Sequence, residues 1–147
     1  MYKNILIATD GSDLADKAVS HGLKLAQELK ASVTFVTVTE LWSTLGMAAE
    51  PNTEMINPTE SYGAIQATWA KKVLADAADK AKKLGIVCET IRKEDDPAEG
   101  IIEAANTKGC DLIVMASHGR RGIKKVLLGS VTNEVATHSP VPVLVIR

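Results

Sequence analysis

Aromatic residues are scarce in this 147-residue chain: two tryptophans, two tyrosines and one phenylalanine, 3% of the total. That leaves no ladder of rings on which single-stranded nucleic acid would stack. Charge of one sign is not in excess either. Lysines and arginines number 17 against 18 acids, a formal net charge of −1, so there is no bulk attraction for DNA, RNA or anionic lipid. Only two cysteines occur, Cys88 and Cys110, and their spacing fits no metal site. A disulfide between them stays open, but two buried free thiols in a reducing compartment is the reading adopted. No apolar run approaches the ~20 residues that span a bilayer. The opening run Ile5–Ala8 is too short for a secretory leader. The expectation is a cytoplasmic protein with neither a membrane nor a nucleic-acid partner.

Hydrophobic residues make up 46% and charged residues 24%, enough apolar material for an independent core. The length suits one domain over residues 1–147, which buries roughly two-thirds of its unfolded surface. Neither an internal repeat nor a low-complexity tract interrupts it.

Short apolar runs alternate with helical patterns. Ile5–Ala8 reads as a strand buried on both faces. Asp10-Gly-Ser12 breaks it, and Ser12 is placed to cap a helix whose first turn carries Asp13 and Asp16. Leu14, Ala18, Gly22, Leu25 and Leu29 then recur at helical spacing, and the β-branched run Val33–Val38 forms a second strand. Residues 40–57 show no period and predict a long loop. Asn57-Pro58-Thr59-Glu60 signals a helix start, with Ile65, Trp69, Val73, Ala77, Ala81 and Leu84 as its buried stripe and Gly85 as its stop. A third strand over 86–91 mixes polar with apolar residues and suits a sheet edge. Asp96-Pro97 opens a helix carrying Ala98, Ile101, Ile102 and Ala105, closed by Gly109. Leu112–Met115 is the fourth strand, and Val141–Ile146 the fifth, its Pro142 fitting an edge. Strands separated by helices imply a parallel, doubly wound α/β sheet, with ligands bound beyond the carboxyl ends of its strands.

The most telling stretch follows the fourth strand. Gly119, Gly122, Gly129 and Ser130 punctuate a loop that leads into a helix. Glycine lets a ligand approach the backbone closely, and a helix start offers unpaired N–H groups at the positive end of a dipole. These are the features of a phosphate cradle. Ala116 and Ser117 are candidates to lend backbone groups, and Thr132 a hydroxyl. Asp10, ending the first strand, is placed to accept from a ribose hydroxyl or an adenine amine; its structural alternative is closing the Asp-Gly turn. Arg120, Arg121, Lys124 and Lys125 form a basic cluster suited to steering phosphates or simply to solvation. His118 has no recognisable catalytic partners and reads as a local hydrogen-bonding residue. His21 and His138 sit on helices without metal-ligand spacing. The segment is neither a Walker P-loop nor a dinucleotide-binding glycine motif.

These residues resemble the universal stress protein family. The opening Lys3–Ser12 is similar to the family's start, and Gly129-Ser-Val-Thr132 with Pro140–Ile146 to its end. Between them the family's ATP-binding pattern, Gly-x-x-Gly-x9-Gly-Ser/Thr, reads Ala116-Ser-His-Gly119, nine residues, then Gly129-Ser130. The first glycine of the pattern is Ala116 here, whose methyl is tolerated if its φ is negative. The resemblance implies a flavodoxin-like (adenine nucleotide alpha hydrolase-like) three-layer sandwich with five parallel strands in the order 3-2-1-4-5. It implies a homodimer paired through the last strand. It also implies ATP, or ADP or AMP, in the crevice, with Mg2+ or Mn2+ at the phosphates rather than on protein ligands. Carried over by position, Ala8, Thr9 and Asp10 meet the nucleoside, and Val38 meets adenine largely through its backbone. Met115, Ala116, Gly119, Gly129, Ser130, Val131 and Thr132 line the ribose and phosphates.

The expected function is therefore an ATP-binding regulatory or stress-response homodimer with at most slow ATP hydrolysis. No catalytic residue is assigned. Two alternatives stay open: a nucleotide-processing enzyme (an ATPase or adenylyl transferase), and a dimeric interaction module with a vestigial pocket, for which Ala116 is the sequence support. A phosphorelay receiver is set aside because Asp10 stands alone at the first strand's end.

Overall fold

Alternating buried strands and one-sided helices build a single parallel sheet. The computed structural model describes residues 1–40, 58–119 and 128–147, with backbone alone at 58–62. Five strands appear among them: β1 (Asn4–Ala8), β2 (Ser32–Thr39), β3 (Cys88–Glu94), β4 (Leu112–Ala116) and β5 (Val143–Ile146). The helices between them are α1 (Asp13–Leu29), α2 (Pro58–Lys83), α3 (Pro97–Thr107) and α4 (Ser130–His138). The sheet order is β3-β2-β1-β4-β5 with every pair parallel, the order that the family resemblance implied. β1 and β4 are thus neighbours at the point where the winding reverses. Residues 41–57 of the loop expected at 40–57, together with Arg120, Arg121, Gly122, Lys124 and Lys125, lie outside the described residues.

The sheet is sandwiched between two apolar layers. Ile5, Ile7, Val33, Phe35 and Val114 meet residues of α1 and α2 on one face. Leu6, Val36, Ile113 and Met115 meet α3 and Val135 of α4 on the other. Ser12 caps α1 by accepting from the Ala15 N–H at 3.2 Å. Asp96 caps α3 by accepting from the N–H groups of Ala98 and Glu99. Gly85 and Gly109 take positive φ after α2 and α3, as helix stops require.

Several local expectations need correction. The α2 stripe is carried by Ala70, Leu74, Ala77 and Ala81, whereas Ile65 is 64% and Leu84 40% exposed. Ala77 and Ala81 of the expected stripe are buried, and Ala70 and Leu74 complete the face against the sheet, while Ile65 is left outside. In α1, likewise, Ala15, Ala18, Val19, Gly22, Leu23 and Ala26 are buried, while Leu14, Leu25 and Leu29 pack only partly. β3 begins at Cys88 rather than residue 86 and extends to Glu94, because β2 continues to Thr39 and offers it a partner throughout. β5 starts after Pro142, whose carbonyl accepts from the Ile113 N–H. Cys110 is buried but Cys88 only half-buried, and both are free thiols. Among the described residues no helix is long and apolar enough to cross a membrane.

Two expected outcomes follow. A Cβ at Gly22 stands 2.5 Å from Ile7 Cδ1 and 3.5 Å from Val114 Cγ1. Gly22→Ala therefore overpacks the core, typically by about 1–3 kcal/mol, more than the gain of up to about 1 kcal/mol in helix propensity. In urea unfolding the substitution lowers stability, and adding Ile7→Val, which removes Cδ1, recovers part of the loss. Burial pushes the Cys110 thiol above its ordinary 9.0, partly offset by a hydrogen bond with Thr34. The folded state then keeps a proton that the unfolded chain releases, so this contribution to stability is complete below pH 9 and fades as pH rises through the folded value. Alkylation at pH 8 labels Cys88 well before Cys110.

Candidate functional site

β1 ends by turning away from β4. The Thr9 N–H donates to the Val36 carbonyl at 3.0 Å, and the Thr9 carbonyl accepts from the Thr37 hydroxyl at 2.8 Å. The chain then closes a tight turn. Asp10 Oδ1 accepts from the Ser12 N–H at 3.0 Å, Thr9 Oγ1 accepts from the Gly11 N–H at 3.2 Å, and Gly11 sits at φ +77°. Asp10 therefore does close its turn, with one carboxylate oxygen. The other, Oδ2, lies 2.6 Å from where a Cβ would stand on Gly119. This approach joins the end of β1 to the segment after β4.

At the end of β4, Ala116 is 8% exposed and belongs to the core layer beneath α1 and α2. It does not have a positive φ. The methyl that replaces the pattern's first glycine is thus accommodated in the core without backbone strain. Ser117 then acts as a junction: its N–H donates to the Ile146 carbonyl at 2.7 Å and its carbonyl accepts from the Gly129 N–H at 2.7 Å. The expectation that Ser117 lends backbone groups to a ligand is corrected, because both are engaged within the fold. His118 Nδ1 lies 3.1 Å from Ser117 Oγ, a local bond between chain neighbours.

Gly129 is the N-cap of α4, with φ −69° and no side chain to cap the helix. Its glycine identity answers to space rather than handedness, since a Cβ would stand 3.1 Å from His118 Cβ and 3.2 Å from the Ser117 carbonyl oxygen. The first intrahelical bond runs from the Asn133 N–H to the Gly129 carbonyl. The amides of Ser130, Val131 and Thr132 precede it, the positions whose donors a helix cannot satisfy internally. Ser130 is exposed and Val131 half-buried, but Thr132 is 2% exposed and its hydroxyl donates to the Ala116 carbonyl at 2.8 Å. That hydroxyl is engaged within the fold in the ligand-free protein.

The remaining expected residues lie at the neighbouring strand ends. Ala8, Val38 and Met115 share the apolar layer beneath α3 and α4. Val38 is half-buried, and Gly100 of α3 lies so close that a Cβ there would stand 2.9 Å from Val38 Cγ1. Gly100 went unnoticed in the sequence, where a glycine amid a helical pattern was the available signal. The carboxyl ends of β1, β2 and β4 and the start of α4 thus carry all eleven residues implied by the resemblance. Among the described residues, no group of three or more His, Cys, Asp or Glu side chains is arranged to hold a metal ion.

The model of the universal stress protein family matches residues 1–147. Universal stress protein YxiE of Bacillus subtilis is 34% identical over 155 residues, with 100% of each chain covered. The solved structure of MJ0577, from Methanocaldococcus jannaschii, is similar with a TM-score of 0.80 at 28% identity, covering 99% of this chain and 96% of the other. A universal stress protein solved in complex with cAMP has a TM-score of 0.70 at 27% identity, covering 99% of this chain and 97% of its own. With its sheet order, its glycine spacing and a family match over its whole length, this chain belongs to the universal stress protein family.

Proposed function

We propose that this chain binds an adenine nucleotide, ATP foremost, across the carboxyl ends of β1, β2 and β4, and that it works as a regulatory homodimer rather than as an enzyme. The observation that carries the reading is the clearance between Asp10 and Gly119, where a side chain on Gly119 would collide with the carboxylate at 2.6 Å. It brings the Asp10 carboxylate beside the loop that leads to the first-turn amides of α4. Those amides and the helix dipole favour phosphate oxygens. Ala8, Thr9 and Asp10 face the nucleoside in this reading, and Val38 the base. Met115, Ala116 and Gly119 line the ribose, while Gly129, Ser130, Val131 and Thr132 frame the phosphates. Mg2+ or Mn2+ accompanies the phosphates and takes its ligands from them.

The complex of a related universal stress protein with cAMP supports an adenine ligand in this family. The alternative of a vestigial pocket rested on Ala116, and the burial of its methyl in the core layer removes that support. Turnover is expected well below the roughly 1 per second at the low end of ordinary enzymes. Free thiols at Cys88 and Cys110 are compatible with a cytoplasmic setting.

Dimerisation through β5 completes the reading. The strand is short, lies at a sheet edge, and leaves Leu144 38% exposed. An apolar edge left bare invites pairing with another chain.

Mg-ATP at 100 times its dissociation constant should stabilise the fold by about 2.7 kcal/mol, seen as a rise in Tm. Gly119→Val should remove most of that rise while the ligand-free protein stays folded. Absence of a shift with ATP, ADP and AMP alike would reject the nucleotide reading. Light scattering should report a dimer that Leu144→Lys converts to a monomer; a wild-type monomer at micromolar concentration contradicts the β5 interface.

A further inference from the structure

Thr132 is enclosed at 2% exposure although it stands in the first turn of α4, beside exposed Ser130. Its hydroxyl donates to the Ala116 carbonyl at 2.8 Å. That carbonyl ends β4. Pairing between β1 and β4 stops two residues earlier, at Ile7–Val114, so the last carbonyl of β4 lies beyond that ladder. One residue further, the Ser117 carbonyl accepts from the Gly129 N–H at 2.7 Å. Together the two bonds fasten the start of α4 to the end of β4 and close the neck of the loop between them.

A hydroxyl has one proton to donate. With that proton given to Ala116, Thr132 Oγ1 has only lone pairs left. Phosphate oxygens at neutral pH are themselves acceptors, so they gain nothing from it. The hydroxyl would have to release Ala116 before it could donate to a phosphate, leaving a buried carbonyl unpaired.

We propose that Thr132 is a positioning residue of the nucleotide site and not a side-chain ligand: its hydroxyl clasps the Ala116 carbonyl and so holds the first-turn amides of α4 at the crevice. The inference rests on the nucleotide reading above and gives one of its implied ligands a different task. The clasp exists without ligand, so the free protein already carries its signature. Thr132→Val keeps the shape and removes the donor. Thr132→Ser keeps the donor.

The test measures amide hydrogen exchange in ligand-free protein, and the affinities of Mg-ATP and inorganic tripolyphosphate, for wild type, Thr132→Val and Thr132→Ser. Thr132→Val should speed exchange at Gly129 and Asn133 and weaken both ligands by about ten-fold or more, and Thr132→Ser should restore both properties. Val135→Ala, at a buried α4 residue away from the clasp, serves as the control for mere loss of stability. Measured where it remains folded, it should keep wild-type affinity. If Thr132→Val leaves ligand-free exchange unchanged yet weakens ATP, the hydroxyl is a direct ligand and the proposal is wrong. Wild-type affinity in Thr132→Val, or an equal loss in Val135→Ala, overturns it as well. Should Thr132→Val not fold, Thr132→Ala makes the same comparison. If wild type binds neither ligand, the nucleotide reading falls while the exchange data still decide whether the clasp exists.

Discussion

The site depends on two central strands that end side by side and then part. β1 and β4 pair only as far as Ile7–Val114, after which Thr9 bonds to β2 and Ser117 to β5. Each departure is fixed by a backbone hydrogen bond of 3.0 Å or less. This parting is the switch point of the doubly wound sheet, where such folds bind ligands. Asp10 reaches across from one side and Gly119 passes close on the other, so the clearance of one absent side chain sets how near the two segments come.

Within that frame the glycines do different work. Gly11 needs its positive φ of 77° to complete the Asp10 turn. Gly119 and Gly129 need room, the first beside a carboxylate and the second beside the His118 and Ser117 backbone. The loop's ends are held by the bonds of Ser117 and Thr132, so α4 begins at a fixed place over the strand ends. Helix N-termini attract anions through unpaired amides and dipole together. A fixed helix start makes that attraction directional.

The strands were legible because burial on both faces writes itself as a continuous apolar run, as in Ile5–Ala8, Val33–Val38 and Leu112–Met115. Helix caps were legible from Ser12 and Asp96, since capping is local chemistry. The stripe of α2 was legible at Ala77 and Ala81 but not at Ala70 and Leu74, because the exact face turned to the sheet is set by packing, which leaves Ile65 outside. The glycine spacing pointed to the ends of β1 and β4, but not to who bonds whom. Whether the Thr132 hydroxyl faces a ligand or Ala116, and whether the Ser117 amide is spare or tied to Ile146, is decided by residues distant in the chain. Ala116 is the same kind of case: the pattern's missing glycine looks like a defect until its methyl is found in the core.

The account's central claim is that adenine nucleotide lies across the β1 and β4 ends, with phosphates at the start of α4. Backbone amide NMR during titration with Mg-ATP addresses this residue by residue. The account predicts that the largest shifts gather at Thr9–Gly11, Gly119 and Ser130–Thr132, with smaller ones at Val38. Shifts centred elsewhere, such as the β3 edge or the far ends of the strands, would contradict it.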